Sequence, residues 1–318
     1  MNDLTSHEAT ALMEAIFTTY TDEQIGETLL ALNEKGITAT ELAAFVDTLD
    51  AKAVHATTEN CIDLCGTGGD GNNTFNISTL AALVVAACGV PVAKHGNRAV
   101  SSQCGSADIL EQLGVRMLPP EKIAACIKQC GIGFLFAPTH HPAFKRVAAI
   151  REKLGVKTVF NMMGPLLNPA HPVAQVIGVF DPRLTALFAQ TLQERGMQRA
   201  LVVHGDGLDE ITLCGTTTGH ELNNGRITTF SCTPEDFGLP PCTLDDLRGD
   251  NATIFNNVLA GAKGPCRNIV LANAAAGLYV AEKAATLKEG VAQAATAIDT
   301  GAAQQLFDKF VKVTNDLG

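Results

Sequence analysis

Within the first ~55 residues, apolar side chains recur at helical spacing, and each periodic segment is preceded by a threonine with Glu or Gln three positions on. Thr5 with Glu8, Thr21 with Gln24 and Thr38 with Glu41 each read as a helix start, and Gly36 after Lys35 reads as a stop. The stripes hold Leu12, Ile16, Ile25, Leu29, Leu32, Leu42 and Phe45. Such stripes bury against one another or against a second copy of the chain. The pattern predicts a small helical domain over residues 1–60.

From Cys61 the texture changes to short β-rich runs that end in glycine loops and alternate with alanine-rich stretches of helical period. Strands are expected over 61–65, 90–95, 133–136, 174–180, 200–204 and 226–231, and helices over 78–88, 107–113, 142–154, 184–195 and 272–285. Alternation of this kind predicts an α/β domain over 61–318, with a central, mostly parallel sheet flanked by helices. No repeat, low-complexity tract or flexible linker separates the two parts, so they are expected to pack tightly together.

Composition narrows the function classes. Hydrophobic residues make up 46 % and charged residues 18 %, which excludes a disordered chain. The net charge of −10 disfavours a nucleic-acid partner. The longest apolar stretch, 80–93, is interrupted by Gly89 and Pro91 and falls short of the roughly 20 residues of a membrane span. Asp3 and Glu8 stand where a secretory signal would be basic, so a cytoplasmic location is expected. The ten cysteines form no CxxC pair; Cys61/Cys65 and Cys126/Cys130 are four apart, and reduced, mostly buried thiols are expected.

Three segments carry candidate chemistry. Gly66-Thr67-Gly68-Gly69-Asp70-Gly71 satisfies a dinucleotide-binding pattern in its letters, but the loop continues through Asn72 and Asn73 where a helix should begin. No acid follows to hold a ribose, because Asp and Glu are absent between Asp70 and Asp108. That stretch holds Asn76, Ser78, Thr79, Lys94, His95, Asn97, Arg98, Ser101 and Ser102. It suits phosphate: glycines admit an oxyanion to the backbone, and a helix starting near Ser78 presents free amides. Lys94-His95-Gly96-Asn97-Arg98 supplies a second wall after the next strand. The adjacent acids Asp209 and Glu210, in a loop after a further strand, are candidates for binding Mg2+.

In order along the chain, GTGGDG, NIST, KHGNR, GSAD, GPLLNP and GLDE resemble the anthranilate phosphoribosyltransferase family. The likeness spans Cys65–Thr79, Lys94–Gly114, Ala137–Ala170, Val202–Ile211 and parts of the tail from Pro234 to Ala276. It implies transfer of a phosphoribosyl group from phosphoribosyl pyrophosphate (PRPP) to the amine of anthranilate, a step of tryptophan biosynthesis. The amine would attack the anomeric carbon opposite the departing pyrophosphate, with inversion and no covalent nucleophile. For PRPP the resemblance implies Gly66, Gly69, Asp70, Thr74, Asn76, Ile77, Ser78, Thr79, Lys94, His95, Gly96, Asn97, Arg98, Ala99, Val100, Ser101, Ser102 and Ser106. For anthranilate it implies Gly66, His95, Asn97 and Arg151, and for metal Ser78, Asp209 and Glu210, with two Mg2+ ions per subunit. It also implies a homodimer paired through the helical domain, completed by a helical segment within about 142–172, with neither nucleic acid nor membrane as partner. Phe144 and Lys157 depart from the tyrosine and arginine of some relatives and bear on acceptor binding. A nucleoside phosphorylase or another arylamine phosphoribosyltransferase are the alternatives; a non-catalytic nucleic-acid binder should have lost Asp209 and Glu210.

Overall fold

All three start signals become capping boxes, in which the threonine side chain accepts from the amide three residues on and the acid or amide side chain returns to the threonine backbone. They open α1 (Ser6–Thr18), α2 (Asp22–Lys35) and α3 (Ala39–Asp50) in a computed structural model that describes residues 1–56, 58–99 and 104–318. Ile16, Ile25, Leu29, Leu32, Leu42 and Phe45 are fully buried in one core, with Leu12 half-buried at its edge.

The remainder runs β1 (Ile62–Gly66), α4 (Ile77–Ala87), β2 (Val92–Gly96), α5 (Ser106–Gln112), α6 (Pro120–Cys130), β3 (Ile132–Phe136), α7 (Ala137–His140), α8 (Lys145–Leu154), α9 (Phe160–Met163), β4 (Ala174–Gly178), α10 (Leu184–Glu194), β5 (Arg199–Gly205), β6 (Thr217–Asn223) and β7 (Arg226–Cys232). Then come α11 (Pro234–Phe237), α12 (Asn251–Leu259), α13 (Pro265–Val280), α14 (Leu287–Asp299) and α15 (Ala302–Leu317). The seven strands lie in the order β3-β2-β1-β4-β5-β6-β7; the first five are parallel and β6 and β7 antiparallel. One sheet face is covered by a core shared with α4, α6, α13, α14 and α15. The other face is covered by α10 and by the helical core, which also takes in Val147 and Ile150 of α8 and Phe160 of α9. A single apolar layer therefore joins the N-terminal helices to the sheet.

Five elements longer than four residues escape the apolar pattern. Strand β6 mixes Thr, Gly, His and Glu without alternation; its signal was the turn Asn224-Gly225, whose φ of 49° and 77° closes the β6–β7 hairpin. Helix α6 opens on Pro120 and ends at Gly131, and α14 opens on Thr286 accepting from the Glu289 amide, so both carried end signals. Helices α12 and α15 were also unpredicted, and α13 begins at Pro265 and ends at Val280, earlier at both ends than the expected 272–285. All ten cysteines are free thiols, and five of them are only half-buried rather than buried. Among the described residues no helix is long and apolar enough to cross a membrane.

Because β2 lies on one side of β1 and β4 on the other, the carboxyl ends of β1 and β4 form the switch point at which open parallel sheets bind ligands. The chain leaving β5 folds back across this point. Asp206 and Gly207 turn with φ of 47° and 96°, and the Gly207 amide donates to His204 Nε2 at 3.1 Å. Asp209 then lies so close over Gly66 and Gly178 that a Cβ at Gly178 would overlap the Asp209 carbonyl, and one at Gly66 the Asp209 carboxylate. Gly178→Ala is expected to cost about 1–3 kcal/mol in urea unfolding, whereas Gly164→Ala, with nothing within 4 Å of its Cβ, should be near neutral.

Candidate active site

The acidic turn is bonded to both phosphate-type loops. Asp209 Oδ2 accepts from the Gly68 amide at 2.6 Å, and Glu210 Oε1 accepts from the Ser78 amide in the first turn of α4 at 3.1 Å. Lys94, 3 % exposed in the middle of β2, donates to the Leu64 carbonyl at 2.6 Å and to Ser78 Oγ at 3.4 Å. Gly66, Gly68, Ser78, Lys94, Asp209 and Glu210 are thus brought to one place. Thr79, in the same turn of α4, is buried with its Oγ1 unpartnered among the described residues.

Burial, with the charge of Asp70 second, pushes the Asp209 carboxyl up to about 7. Burial and then the Asp209 charge push Glu210 up to about 8, against the opposing pull of Lys94 and the Ser78 amide. Two acids that resist ionising side by side gain from a cation placed between them. The donors Asp209, Glu210 and Ser78 Oγ are all oxygen, the set that hard Mg2+ takes, with the rest of its shell left to ligand oxygens and water. The residues fit that ion.

Strand alternation sends the neighbour of Lys94 to the other face of the sheet. His95 is buried there, its Nδ1 3.2 Å from the Gly164 carbonyl, its amide donating to Asp63 Oδ1 at 3.3 Å. Asp63 and Asn168 form a buried pair at 2.8 Å, and Asn168 also donates to the Ala93 carbonyl, which clamps the GPLLNP turn to β2. A chain of rings leads outward: His95–His141 at 5.3 Å, His141–Phe144 at 6.0 Å and Phe144–Phe160 at 5.6 Å, with the Arg151 guanidinium 5.6 Å from the Phe160 ring. His95 Nε2, His141 Nε2 and Arg151 Nε are buried without partners, and Arg151 makes no ion pair among the described residues. His95 and Arg151 therefore stand at the two ends of one chain of aromatic rings.

Other expected residues sit differently. The Arg98 guanidinium donates to Glu111 Oε1 at 2.8 Å and to Asp108 at 3.2 Å, and the Ala99 amide donates to Asp108 at 2.8 Å. Absence of acids from 71–107 therefore does not spare these groups carboxylate competition, because α5 brings its own acids. Asn97 is exposed, its Oδ1 taken by the Arg98 amide and its carbonyl accepting from Ser106 Oγ at 3.3 Å, close to Gly96. Asp70 accepts from the Asn72 amide, and Ile77 turns its side chain into the core, so only its backbone faces the loop. Gly69 and Thr74 lie in the exposed and half-buried parts of the same loop. Val100, Ser101 and Ser102 lie outside the described residues.

Scaffolding contacts are not announced by the sequence, and Lys157, which the resemblance ties to acceptor binding, is found at the glycine loop instead. Lys157 reaches the glycine loop, its Nζ donating to the Gly69 carbonyl at 2.9 Å and sitting 3.4 Å from the Phe180 ring centroid. Asn251 Oδ1 accepts from the Asn76 amide at 2.8 Å, Arg248 donates to the Asn72 carbonyl, and Asn273 holds both the amide and the carbonyl of Ile211. These contacts link positions more than 60 residues apart, and no local spacing announces them.

A family model described as "Glycosyl transferase family, a/b domain" matches residues 58–304, and one described as "Glycosyl transferase family, helical bundle domain" matches residues 2–53. The anthranilate phosphoribosyltransferase of Alkaliphilus metalliredigens (strain QYMF) is 48 % identical over 324 residues, covering 99 % of this chain and 96 % of that protein. The crystal structure of the Thermus thermophilus enzyme of that name superposes with a TM-score of 0.94 at 42 % identity, covering 99 % of this chain and 97 % of the other. The Saccharomyces cerevisiae enzyme, solved in complex with PRPP and Mg, superposes with a TM-score of 0.90 at 27 % identity over 99 % and 94 % of the two chains. Helical bundle, switch-point site and likeness along nearly the whole length agree: this chain belongs to the family of anthranilate phosphoribosyltransferases.

Proposed function

We propose that this chain transfers the phosphoribosyl group of PRPP to the amine of anthranilate, giving N-(5-phosphoribosyl)anthranilate and pyrophosphate. The observation that carries the reading is the division made at β2, where Lys94 faces an anion-type loop and His95 opens a run of rings whose buried polar atoms lack partners among the described residues. Donor and acceptor would meet across that strand end. The glycine loop, the first turn of α4, Thr79 and Lys94 would hold the phosphates. Asp209, Glu210 and Ser78 would hold Mg2+, two ions per subunit, which when bound would supply positive charge against the departing pyrophosphate.

On the acceptor side, burial without a counter-ion disfavours the charge on Arg151, and an aromatic carboxylate would restore the balance. The Gly164 carbonyl can only accept, so His95 Nδ1 carries the ring hydrogen and Nε2 presents a lone pair. That lone pair can take an N–H of the amine and aim the nitrogen at the anomeric carbon. Burial holds both His95 and His141 well below the usual imidazole range, so neither competes with the arginine for the carboxylate as a cation at neutral pH. The Cys65 thiol is pushed well up by burial, which removes the nearest nucleophile. Leaving-group departure then rests on electrostatics and alignment, with no covalent intermediate. Pairing of two copies through the N-terminal helices belongs to the proposal, supported by Leu30, 46 % exposed on α2, as does a cytoplasmic setting.

Anthranilate fluorescence should fall on addition of PRPP and Mg2+, and not with either alone; unchanged fluorescence from folded protein rejects the proposal, and phosphate-dependent cleavage of a nucleoside would favour the phosphorylase alternative. Arg151→Ala is expected to raise the KM for anthranilate about 10- to 100-fold with PRPP affinity little changed; equal loss of both removes Arg151 from the acceptor pocket. His141 is held at about 4 against 6.5 when exposed, so the stability gained from keeping it neutral is complete above pH 6.5 and lost as pH falls toward 4. The unfolding free energy of the native chain, from urea titrations, should therefore fall more steeply over that window than that of His141→Gln, by on the order of 3 kcal/mol.

A further inference from the structure

Away from the cleft, three segments bring metal-ligating side chains to one point. Asp50 ends α3, His55 lies in the connector to β1, and His171 lies in the loop before β4. One ligand atom from each falls within 4.8 Å of the other two. His171 Nε2 is 2.9 Å from Asp50 Oδ2 and 3.1 Å from Oδ1, and His55 Nε2 is 3.4 Å from Asp50 Oδ1. The two rings are 4.8 Å apart between centroids. Around a tetrahedral zinc ion, bonds of about 2.0–2.2 Å put neighbouring ligand atoms about 3.3 Å apart, close to the carboxylate–imidazole spacings here.

The backbone carrying these groups is already fastened. Val54 donates its amide to the His140 carbonyl at 2.8 Å and Ala56 to the Pro169 carbonyl at 3.0 Å, on either side of His55. His171 has a φ of +46°, held by its amide bond to the Asn168 carbonyl at 3.1 Å, and Asn168 is itself fixed by Asp63. An open cavity of about 470 Å³, lined in part by Asp50, Asn168 and His171, borders the trio and gives water a route to the remaining coordination position. Arg195 also borders it, 3.8 Å from Asp50 Oδ2, but its short bonds go to Asp47 Oδ1 at 2.7 Å and the Leu166 carbonyl at 2.8 Å. His171 Nε2 straddles both carboxylate oxygens of Asp50, and His55 Nε2, 2.9 Å from the Asp50 backbone carbonyl, would exchange that bond for the cation.

We propose that Asp50, His55 and His171 bind a borderline divalent cation, Zn2+ above all, with water completing the shell. Two imidazoles and one carboxylate suit zinc and cobalt, unlike the all-oxygen set at Asp209, Glu210 and Ser78. The ion would tie the end of α3, the connector and the loop before β4 into one unit.

The test uses full-length, chelator-stripped protein with excess Mg2+ present to occupy the all-oxygen positions. Co2+ is titrated by its visible absorption and Zn2+ by calorimetry, for the native chain, His55→Gln and His171→Gln. The native chain should take up one more ion than either variant, or bind it about tenfold or more tightly. Zn2+ should raise the Tm of the native chain only. Both histidines are largely exposed, so equal Tm values without metal show that the variants fold. The same stoichiometry and affinity in all three proteins overturns the proposal and leaves the trio as Asp50 hydrogen-bonded to two imidazoles.

Discussion

The two hydrogen bonds from the Gly68 and Ser78 amides to Asp209 and Glu210 fix everything else about the cleft. They place a pair of like charges against the ends of β1 and β4, where burial makes ionisation unfavourable for both. A fold accepts such a cost when something else in the working complex offsets it. Lys94 offsets part from beneath, through Ser78. The remainder is a standing demand for positive charge at the position where a diphosphate would arrive.

The opposite side of β2 is organised by a different constraint. There the shortage is of partners: His95 Nε2, His141 Nε2 and Arg151 Nε, along the chain of rings through Phe144 and Phe160, have no hydrogen-bond partner among the described residues. An unpaired buried polar group costs on the order of 1–3 kcal/mol, so several along one chain of rings are a concentrated cost to the fold. Consecutive residues of one strand, Lys94 and His95, turn their side chains to these two sides.

Much of this was legible in the amino-acid sequence because it is local. Capping boxes at Thr5, Thr21 and Thr38 need only a spacing of three, and glycine loops after strands announce themselves by composition. The acidic turn could be singled out for the same reason. What escaped is non-local: the carboxylates of α5 that take Arg98, the reach of Lys157 to Gly69, and the asparagines at 251 and 273 that brace loops far away in the chain. Strand β6 escaped because its pairing, with β5 on one side and β7 on the other, makes a strand of residues whose side chains show no period. Arg151 could be linked to His95 only through the resemblance, since the rings that join them come from three separate segments.

The close seating of Asp209 on Gly66 and Gly178 also limits how this protein can diverge. Interior positions such as Leu29 or Val84 can trade volume with their neighbours over generations, because packing tolerates compensated exchange. At the two strand ends no smaller residue exists to trade with, and the first added methyl already displaces the turn that holds the acids. Drift in descendants of this chain is therefore confined to the core and the outer surface, while the lip of the sheet stays frozen at the smallest side chain available.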